Sequence, residues 1–547
     1  MTGRNLLKTL IVMIFFLSSV PVIMAGGLPT VPPLSATWSN PVFISGSYLL
    51  NHGAQDSLGS QLVTVDWNTG TDNARNLVVS TFAGAHQVVA GNAIYSSSFV
   101  QDPPRDTFPA ISGNGGRIAY LGYKAEGDTS AIYLIDKTGG NWGTPYLLPE
   151  GIVCVDNDLD ISADGNTITY SNCPSLFGTM RVYVSRWNGT AWVAPLNVSG
   201  VAGGAQPSVS ADGKKIAYQN YADVFYTELL PDGTWSVPLN LTRCFFTDFN
   251  HYMYYPRISP DGQAIFFWRY RLNGSTVTGK DLFAVRRIGG GWSRPALISG
   301  SSIVPTLVNE SRPAVNRTGT RVVFNRTIQD PYSGTRLEMT EFINGTWTAP
   351  AVLTDAYRAD YPSLTADGLK TAFYHATNAD AGMAAITFNE APPNFTYTTT
   401  TADIAIAGGV LLSSADQTYS IFSNGVFSRE ARVTHTVNPW SGLLPPTGSL
   451  APRGSGFDLN AVAVDNGMPL PVESPFAVVV DYHQLNGAAL EPTLKLYNWN
   501  PAACAWAEMT STLDMGNDLV TATGVDRLGL FAVLGDTNHL YLPLILR

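Results

Sequence analysis

The sequence predicts an all-β chain: a β-propeller of six blades, or seven if one is degenerate, followed by a second β-rich domain. Three observations carry this. A hairpin phrase recurs six times at near-constant spacing, a Trp-x-x-Pro phrase recurs beside it, and the composition is that of turn-rich β structure. The 547 residues are 45% apolar, 11% aromatic and only 14% charged, with 51 Gly and 35 Pro. Such a chain has ample apolar residues for a core and too few charges for intrinsic disorder. Its formal net charge of −10 argues against a nucleic-acid backbone or an anionic membrane surface as partner.

The first segment, 1–27, reads as an export signal. Arg4 and Lys8 precede an apolar run from Leu10 to Met24, and Ala25, Gly26 and Gly27 supply small residues for cleavage. A retained anchor is the alternative reading. No other stretch approaches the roughly 18 apolar residues a membrane helix needs, so the mature chain is expected to carry no transmembrane span. The expected location is extracellular or at the cell surface, with the periplasm also open. An oxidising compartment allows disulfides. Cys154 and Cys173 flank the hairpin Asp160–Tyr170 at nearly matching offsets from its turn and are expected to pair, whereas Cys244 and Cys504, in different halves, are expected to be free.

The propeller, expected over 28–390, rests on the repeat. The phrase appears as PAISGNGGRIAY from Pro109, LDISADGNTITY from Leu159, PSVSADGKKIAY from Pro207, PRISPDGQAIFF from Pro256, PAVNRTGTRVVF from Pro313 and PSLTADGLKTAF from Pro362. Its turn glycines, Gly115, Gly165, Gly213, Gly262, Gly319 and Gly368, are separated by 50, 48, 49, 57 and 49 residues, the range of four-stranded blades. Each phrase reads as a strand opened by Pro, a tight turn, and a second strand with period-2 alternation. Trp142, Trp192, Trp235, Trp292 and Trp347 each have Pro three residues on, suiting an outer edge strand. A sixth copy, Trp38 with Pro41, lies near the mature N-terminus, so a strand at 37–46 is expected to complete the last blade. The stretch Ser47–Thr107 leaves room for a degenerate seventh unit, with QLVTVDWNTG and ARNLVVS as its outer strands.

The phrase S-x-D-G-[KRQN]-x-[IV]-x-[YF] resembles the repeats of TolB-like β-propellers, also called WD40-like or PD40 repeats, over about Thr37 to Glu390. The resemblance speaks for fold and leaves function open, because such propellers serve many roles. Pro392, Pro393 and Thr398–Thr401 mark a linker, placed at 391–402. Beyond it, IAGGVLLSSADQTYSIF, PFAVVVDY and LKLYNWNPAACAWAEM resemble ZU5-like β-sandwich modules of exported bacterial proteins. The resemblance implies a β-sandwich over 403–536 and attachment to the cell envelope. Where some ZU5-type domains carry a self-cleaving His-Phe-Ser, this chain has Asp526, Arg527, Leu528 and Gly529, so no self-cleavage is expected. The last residues, 537–547, form a tail read as a final strand or a sorting signal.

Signals for catalysis are sparse. There is no G-x-S-x-G elbow and no H-E-x-x-H, and the histidines are scattered. In the repeat Asp is followed directly by Gly, unlike a sialidase Asp-box. No cofactor is implied. Asp156, Asp158 and Asp160 alternate and are weak candidates for a hard cation, against a solvated acidic loop. The richer signal lies in loops expected at one mouth of the channel. They carry Arg105, Asp106, Phe108, Phe245, Asp248, His251, Tyr252, Tyr254, Tyr255, Arg312, Tyr357, Arg358 and Tyr361, and a facing hairpin adds Trp268, Arg269 and Tyr270. Aromatic rings beside ionic groups are typical of recognition faces; the plainer alternative is packing between blades. The expectation is a non-catalytic binding or scaffold protein that recognises a protein or glycan partner at this mouth. The alternative is a glycan-active hydrolase drawing acids from Asp106, Asp248, Glu310 and Asp360.

Overall fold

The computed structural model describes residues 38–44, 51–67, 74–82, 85–95, 109–123, 130–152, 159–172, 179–220, 222–246, 253–273, 276–298, 309–328, 334–354, 358–376 and 381–537. Regular structure among them is β-strand, apart from three short 3₁₀ turns. No helix among the described residues is long and apolar enough to cross a membrane.

The N-terminal two thirds contain seven antiparallel groups built on four strands, six of them in chain order, with the short strands Asn141–Trp142, Gly291–Trp292 and Thr346–Trp347 added beside three of them. Six inner strands coincide with the repeat phrases: Ala110–Ile111, Leu159–Ile161, Ala205–Val209, Met253–Ile258, Asn309–Val315 and Arg358–Leu364. The last of these groups takes its fourth strand from the N-terminus. Val42–Phe43 lies antiparallel on Ala381–Thr387, and Trp38 pairs with Phe388. The additional group is Asn51–Gln55, Gln61–Trp67, Ala74–Thr81 and His86–Tyr95. QLVTVDWNTG and ARNLVVS therefore supply its middle strands rather than the outer strands expected, because Asn51–Gln55 precedes them as the inner one.

The repeat phrase is a turn locked by side chains. Ser210 donates to Asp212 Oδ1 and accepts the Lys215 amide at 3.0 Å, while Asp212 accepts the Lys214 amide at 3.0 Å. Ser112, Ser162, Ser259 and Thr365 repeat the arrangement, and Asn316 replaces it by accepting the amides of Thr320 and Arg321. The turn glycines sit at φ between 59° and 75°, including Gly59 of the additional group, a left-handed conformation that glycine adopts at least cost.

These turns meet each other in a closed ring. Ser57 donates its amide to Gly113 O, Asn114 to Ala163 O, Ala163 to Ala211 O, and Ala211 to Pro260 O, then Asp261 to Arg317 O, Arg317 to Ala366 O, and Ala366 back to Ser57 O, all at 2.7–3.1 Å. Inside lies a channel cavity of about 250 Å³, lined by all seven groups through Ser57, Ile111, Ile161, Val209, Ile258, Val315 and Leu364. Strand groups wound around a central channel and closed by a chain terminus make a β-propeller.

Residues from Thr398 on form two antiparallel sheets. One has six strands, Thr398–Ile404, Ala431–Val437, Leu450–Ala463, Gly529–Asp536, Lys495–Asn500 and Ala505–Glu508; the other has five, from Gly409–Ser413 to Ser511–Asp514. Both contribute to one core that includes Leu411, Phe422, Val433, Leu459, Val478, Val520 and Phe531. The first strand begins inside the segment expected to be linker.

This unit is fastened to the propeller. Gly290 donates its amide to Asp458 Oδ1 at 2.6 Å. Gly345 lies so close beneath Trp440 that a Cβ there would stand 2.1 Å from the ring. Ile288 and Phe342 share an apolar cluster with Leu443, Leu444, Leu530 and Leu534. Arg286, 3% exposed, lays its guanidinium over Phe342 at 4.1 Å, and burial lowers its pKa to about 10. Cys244 and Cys504, expected to be free, are joined in a disulfide with their Cα atoms 5.1 Å apart. The correction has a tertiary cause: the loop after the fourth group meets the turn at Pro501–Cys504, where Arg243 donates to the carbonyls of Pro501 and Ala502. Cys154 and Cys173 lie outside the described residues.

Candidate functional site

The channel end opposite the ring of turns is where chain enters each inner strand, and a local device recurs there. Gln206, Tyr255, Arg312 and Tyr361, each immediately before the Pro of a repeat phrase, have φ of 52°, 51°, 56° and 57°. At the same place each inner strand slips register against its partner: between Ala205 and Ser208, Tyr254 and Arg257, Ser311 and Ala314, and Asp360 and Ser363. A bulge of this kind turns a side chain out of the pleat. Holding a non-glycine residue in this region costs roughly 1–3 kcal/mol, and such strain gathers at functional sites. Four consecutive groups thus carry a strained residue at one mouth.

The fifth and sixth groups build the wall behind it. Their middle strands, Ala264–Asn273 with Thr276–Ile288 and Arg321–Ile328 with Gly334–Ile343, are longer than the six-residue strands of the third and fourth groups. On the fifth, Tyr254 stacks on Trp268 at 4.5 Å, Tyr270 meets Trp268 edge-on at 5.3 Å, and Tyr255 lies 6.2 Å from Trp268. Lys280 Nζ rests 4.2 Å from the Trp268 ring centroid, and burial, with the nearby Arg312 charge, pushes its pKa down. Arg312 in turn stacks on Tyr361 at 3.6 Å. The Tyr255 amide donates to Gln206 Oε1 at 2.8 Å, tying neighbouring groups together. Cations held over aromatic faces in a half-buried mouth gain from the ring quadrupole.

The carboxylates at this mouth are engaged otherwise. Glu310, 1% exposed, accepts from Arg326 at 2.5 Å, and Arg326 and Arg336 also bind Glu338. Asp360 accepts from Asn325 and, at 2.9 Å, from Arg358. Both hydrolase candidates among the described residues are thus partnered carboxyl groups within the ring wall. Deeper in the channel, Asp160 accepts from Ser208 Oγ at 3.0 Å and the Val209 amide at 2.9 Å, with Arg257 at 3.7 Å. It fastens one inner strand to the next.

Of the residues the sequence singled out, the structure brings together Tyr254, Tyr255, Trp268, Arg312 and Tyr361, with Arg358 on the same strand as Tyr361. Phe245 belongs elsewhere: it stacks on Trp499 of the C-terminal unit at 6.3 Å. Arg105, Asp106, Phe108, Asp248, His251, Tyr252, Tyr357, Asp156 and Asp158 lie outside the described residues. Sequence reasoning missed Gln206 and Lys280. For Gln206 the available signal was its place directly before the phrase Pro, which it shares with Tyr255, Arg312 and Tyr361.

The sequence matches no protein-family model and no curated protein. Among solved structures, the chain is similar to the β-propeller domain of the Trilobed protease from Pyrococcus furiosus, at 12% identity and a TM-score of 0.42, over 63% of this chain and 97% of that one. It is similar to a putative TolB from Agrobacterium tumefaciens at 18% identity and a TM-score of 0.34, over 56% and 94%. It is also similar to an oligogalacturonate lyase from Vibrio parahaemolyticus at 10% identity and a TM-score of 0.41, over 65% and 97%.

Proposed function

We propose that this chain is an exported, non-catalytic binding or scaffold protein. A seven-bladed, TolB-like propeller recognises a protein or glycan partner at the mouth formed by Gln206, Tyr255, Arg312 and Tyr361, backed by Trp268 and Lys280. The C-terminal unit is a ZU5-like β-sandwich that acts as spacer or attachment module at the cell envelope. The leader-like segment 1–27 supports the location, and the closed ring of turns supports the blade count.

The observation that carries the binding reading is the repeated left-handed residue before the phrase Pro. Packing between blades alone would be met by ordinary extended backbone, whereas strain repeated around one mouth favours a surface that must present its side chains. The test uses the mature chain on immobilised polysaccharides, with release of reducing ends assayed in the same samples. The reading predicts retention without release, lost in a Tyr255→Ala/Tyr361→Ala variant whose melting curve stays cooperative. Release of reducing ends, or full retention of the double variant, would overturn it.

A further inference from the structure

The space between the two C-terminal sheets opens at one end into a cavity of about 310 Å³, remote in sequence from the propeller mouth. Its walls carry Asp416, Thr418, Arg453 and Ser455 over an apolar floor that includes Phe457 and Val480.

A dedicated distortion forms the cavity wall. Leu450–Ala463 loses register against Gly529–Asp536 between Arg453 and Phe457. The segment between them is Gly454-Ser455-Gly456, with both glycines left-handed at φ 80° and 79°. A Cβ on Gly456 would stand 2.5 Å from Phe531 O. Asn438 secures the bulge, donating its amide to Gly456 O at 3.0 Å and its side chain to Ser455 O at 2.7 Å, while the Gly454 amide donates to Asn486 O at 2.8 Å. Two glycines inside a strand weaken it unless backbone must be displaced; here the displacement sets Arg453 and Ser455 on the wall.

The two charged groups on that wall do not pair with each other. The Asp416 side chain is 10% exposed; its Oδ2 lies 2.8 Å from Nε2 of the buried His435, and its Oδ1 has no hydrogen-bond partner among the described residues. Arg453 Nε is likewise buried without a hydrogen-bond partner, its guanidinium lies 5.9 Å from the Tyr482 ring centroid, and among the described residues no ion pair joins Arg453 to Asp416. Groups of this kind are costly to leave unsatisfied in a low-dielectric space. An anion alone would answer Arg453 and face the Asp416 carboxylate. A cation alone would do the reverse. A molecule with both charges answers both, and the apolar floor accepts a hydrocarbon body.

We propose that this cavity binds a small zwitterion, an apolar α-amino acid, with its carboxylate on Arg453 and its ammonium group on Asp416. Calorimetric titration of the full chain with leucine and methionine tests it, alongside isopentylamine and 4-methylpentanoate, which each keep one of leucine's charges. The expected result is one saturable site per chain for the amino acids, with each single-charge analogue weaker by about ten-fold or more, the factor that about 1.4 kcal/mol represents. Arg453→Gln and Asp416→Asn should each weaken leucine by at least a similar factor. Arg453→Lys should keep part of the affinity, and the Tyr255→Ala/Tyr361→Ala variant should bind leucine as the wild type does, separating this site from the mouth. Absence of binding or thermal shift with every natural amino acid at millimolar concentration would mean that the cavity holds water only and would overturn the proposal. So would isopentylamine binding as tightly as leucine, or unchanged affinity in a folded Arg453→Gln variant.

Discussion

Asp458→Asn is the perturbation that most sharply probes how the two units are joined. Asp458 is 0% exposed on a strand of the six-stranded sheet and faces the turn Gly289–Gly291 of the propeller. Burial pushes its pKa up to about 6, against the opposing pull of the Gly290 amide and the Arg287 charge. An ordinary Asp titrates near 3.9, so the shift is roughly two units, or about 3 kcal/mol at 1.36 kcal/mol per unit. Because the folded pKa lies above the unfolded one, the folded state holds this proton more tightly. The group's contribution is fully present below about pH 4 and is lost as pH rises through about 6. Asparagine keeps an oxygen for the Gly290 amide and does not ionise. Urea unfolding of wild type and variant from pH 4 to 8 should therefore diverge between pH 4 and 6, with the variant ahead by about 2–3 kcal/mol on the plateau above. Parallel curves, or a variant that loses ground as pH rises, would refute the reasoning.

Three further outcomes follow from other parts of the joint and the ring. Cys244→Ser removes a bridge spanning 260 residues and should cost about 2–5 kcal/mol, read as a lower urea midpoint and faster proteolysis between the units. Arg321 is 1% exposed and donates to Glu341 at 2.7 Å and to the carbonyls of Gly368 and Glu390. Arg321→Met strands the buried Glu341 carboxyl and should cost about 3–5 kcal/mol, with Arg321→Met/Glu341→Leu recovering most of it. At the mouth, Tyr361→Gly should melt above Tyr361→Ala by about 1 kcal/mol, because alanine keeps the left-handed strain at φ 57°. Both should lose retention on the partner equally.

The repeats were legible because each is a self-contained device. Ser210, Asp212 and Gly213 close their turn within six residues, so the pattern is written locally. The first group escaped for the same reason. At its turn Asp56 stands where the repeats have Ser, Asn or Thr, and accepts the Ser60 amide at 2.7 Å, Leu58 replaces the turn Asp, and no Pro precedes. Gly59 kept its role while the surrounding letters changed. Mouth residues such as Tyr255 and Arg312 could be found by composition, but their left-handed backbone is a property of the bulge that the neighbouring strand enforces. Lys280 reaches the same place only because the hairpin around it is long. The Cys244–Cys504 bridge and the contact of Phe245 with Trp499 need the C-terminal unit folded against the fourth group, which no spacing encodes. The glycine pair Gly454 and Gly456 was visible as letters, and its purpose emerges only with Asn438 and Phe531 packed around it.

The most direct measurement of the central claim is a comparison of wild type with the Tyr255→Ala/Tyr361→Ala variant across a glycan array and a matched set of immobilised envelope proteins. The account predicts that wild type is retained on a defined subset without chemical change to it, and that the variant, equally folded, is not. Equal retention of both proteins, or cleavage of the retained glycan, would contradict it.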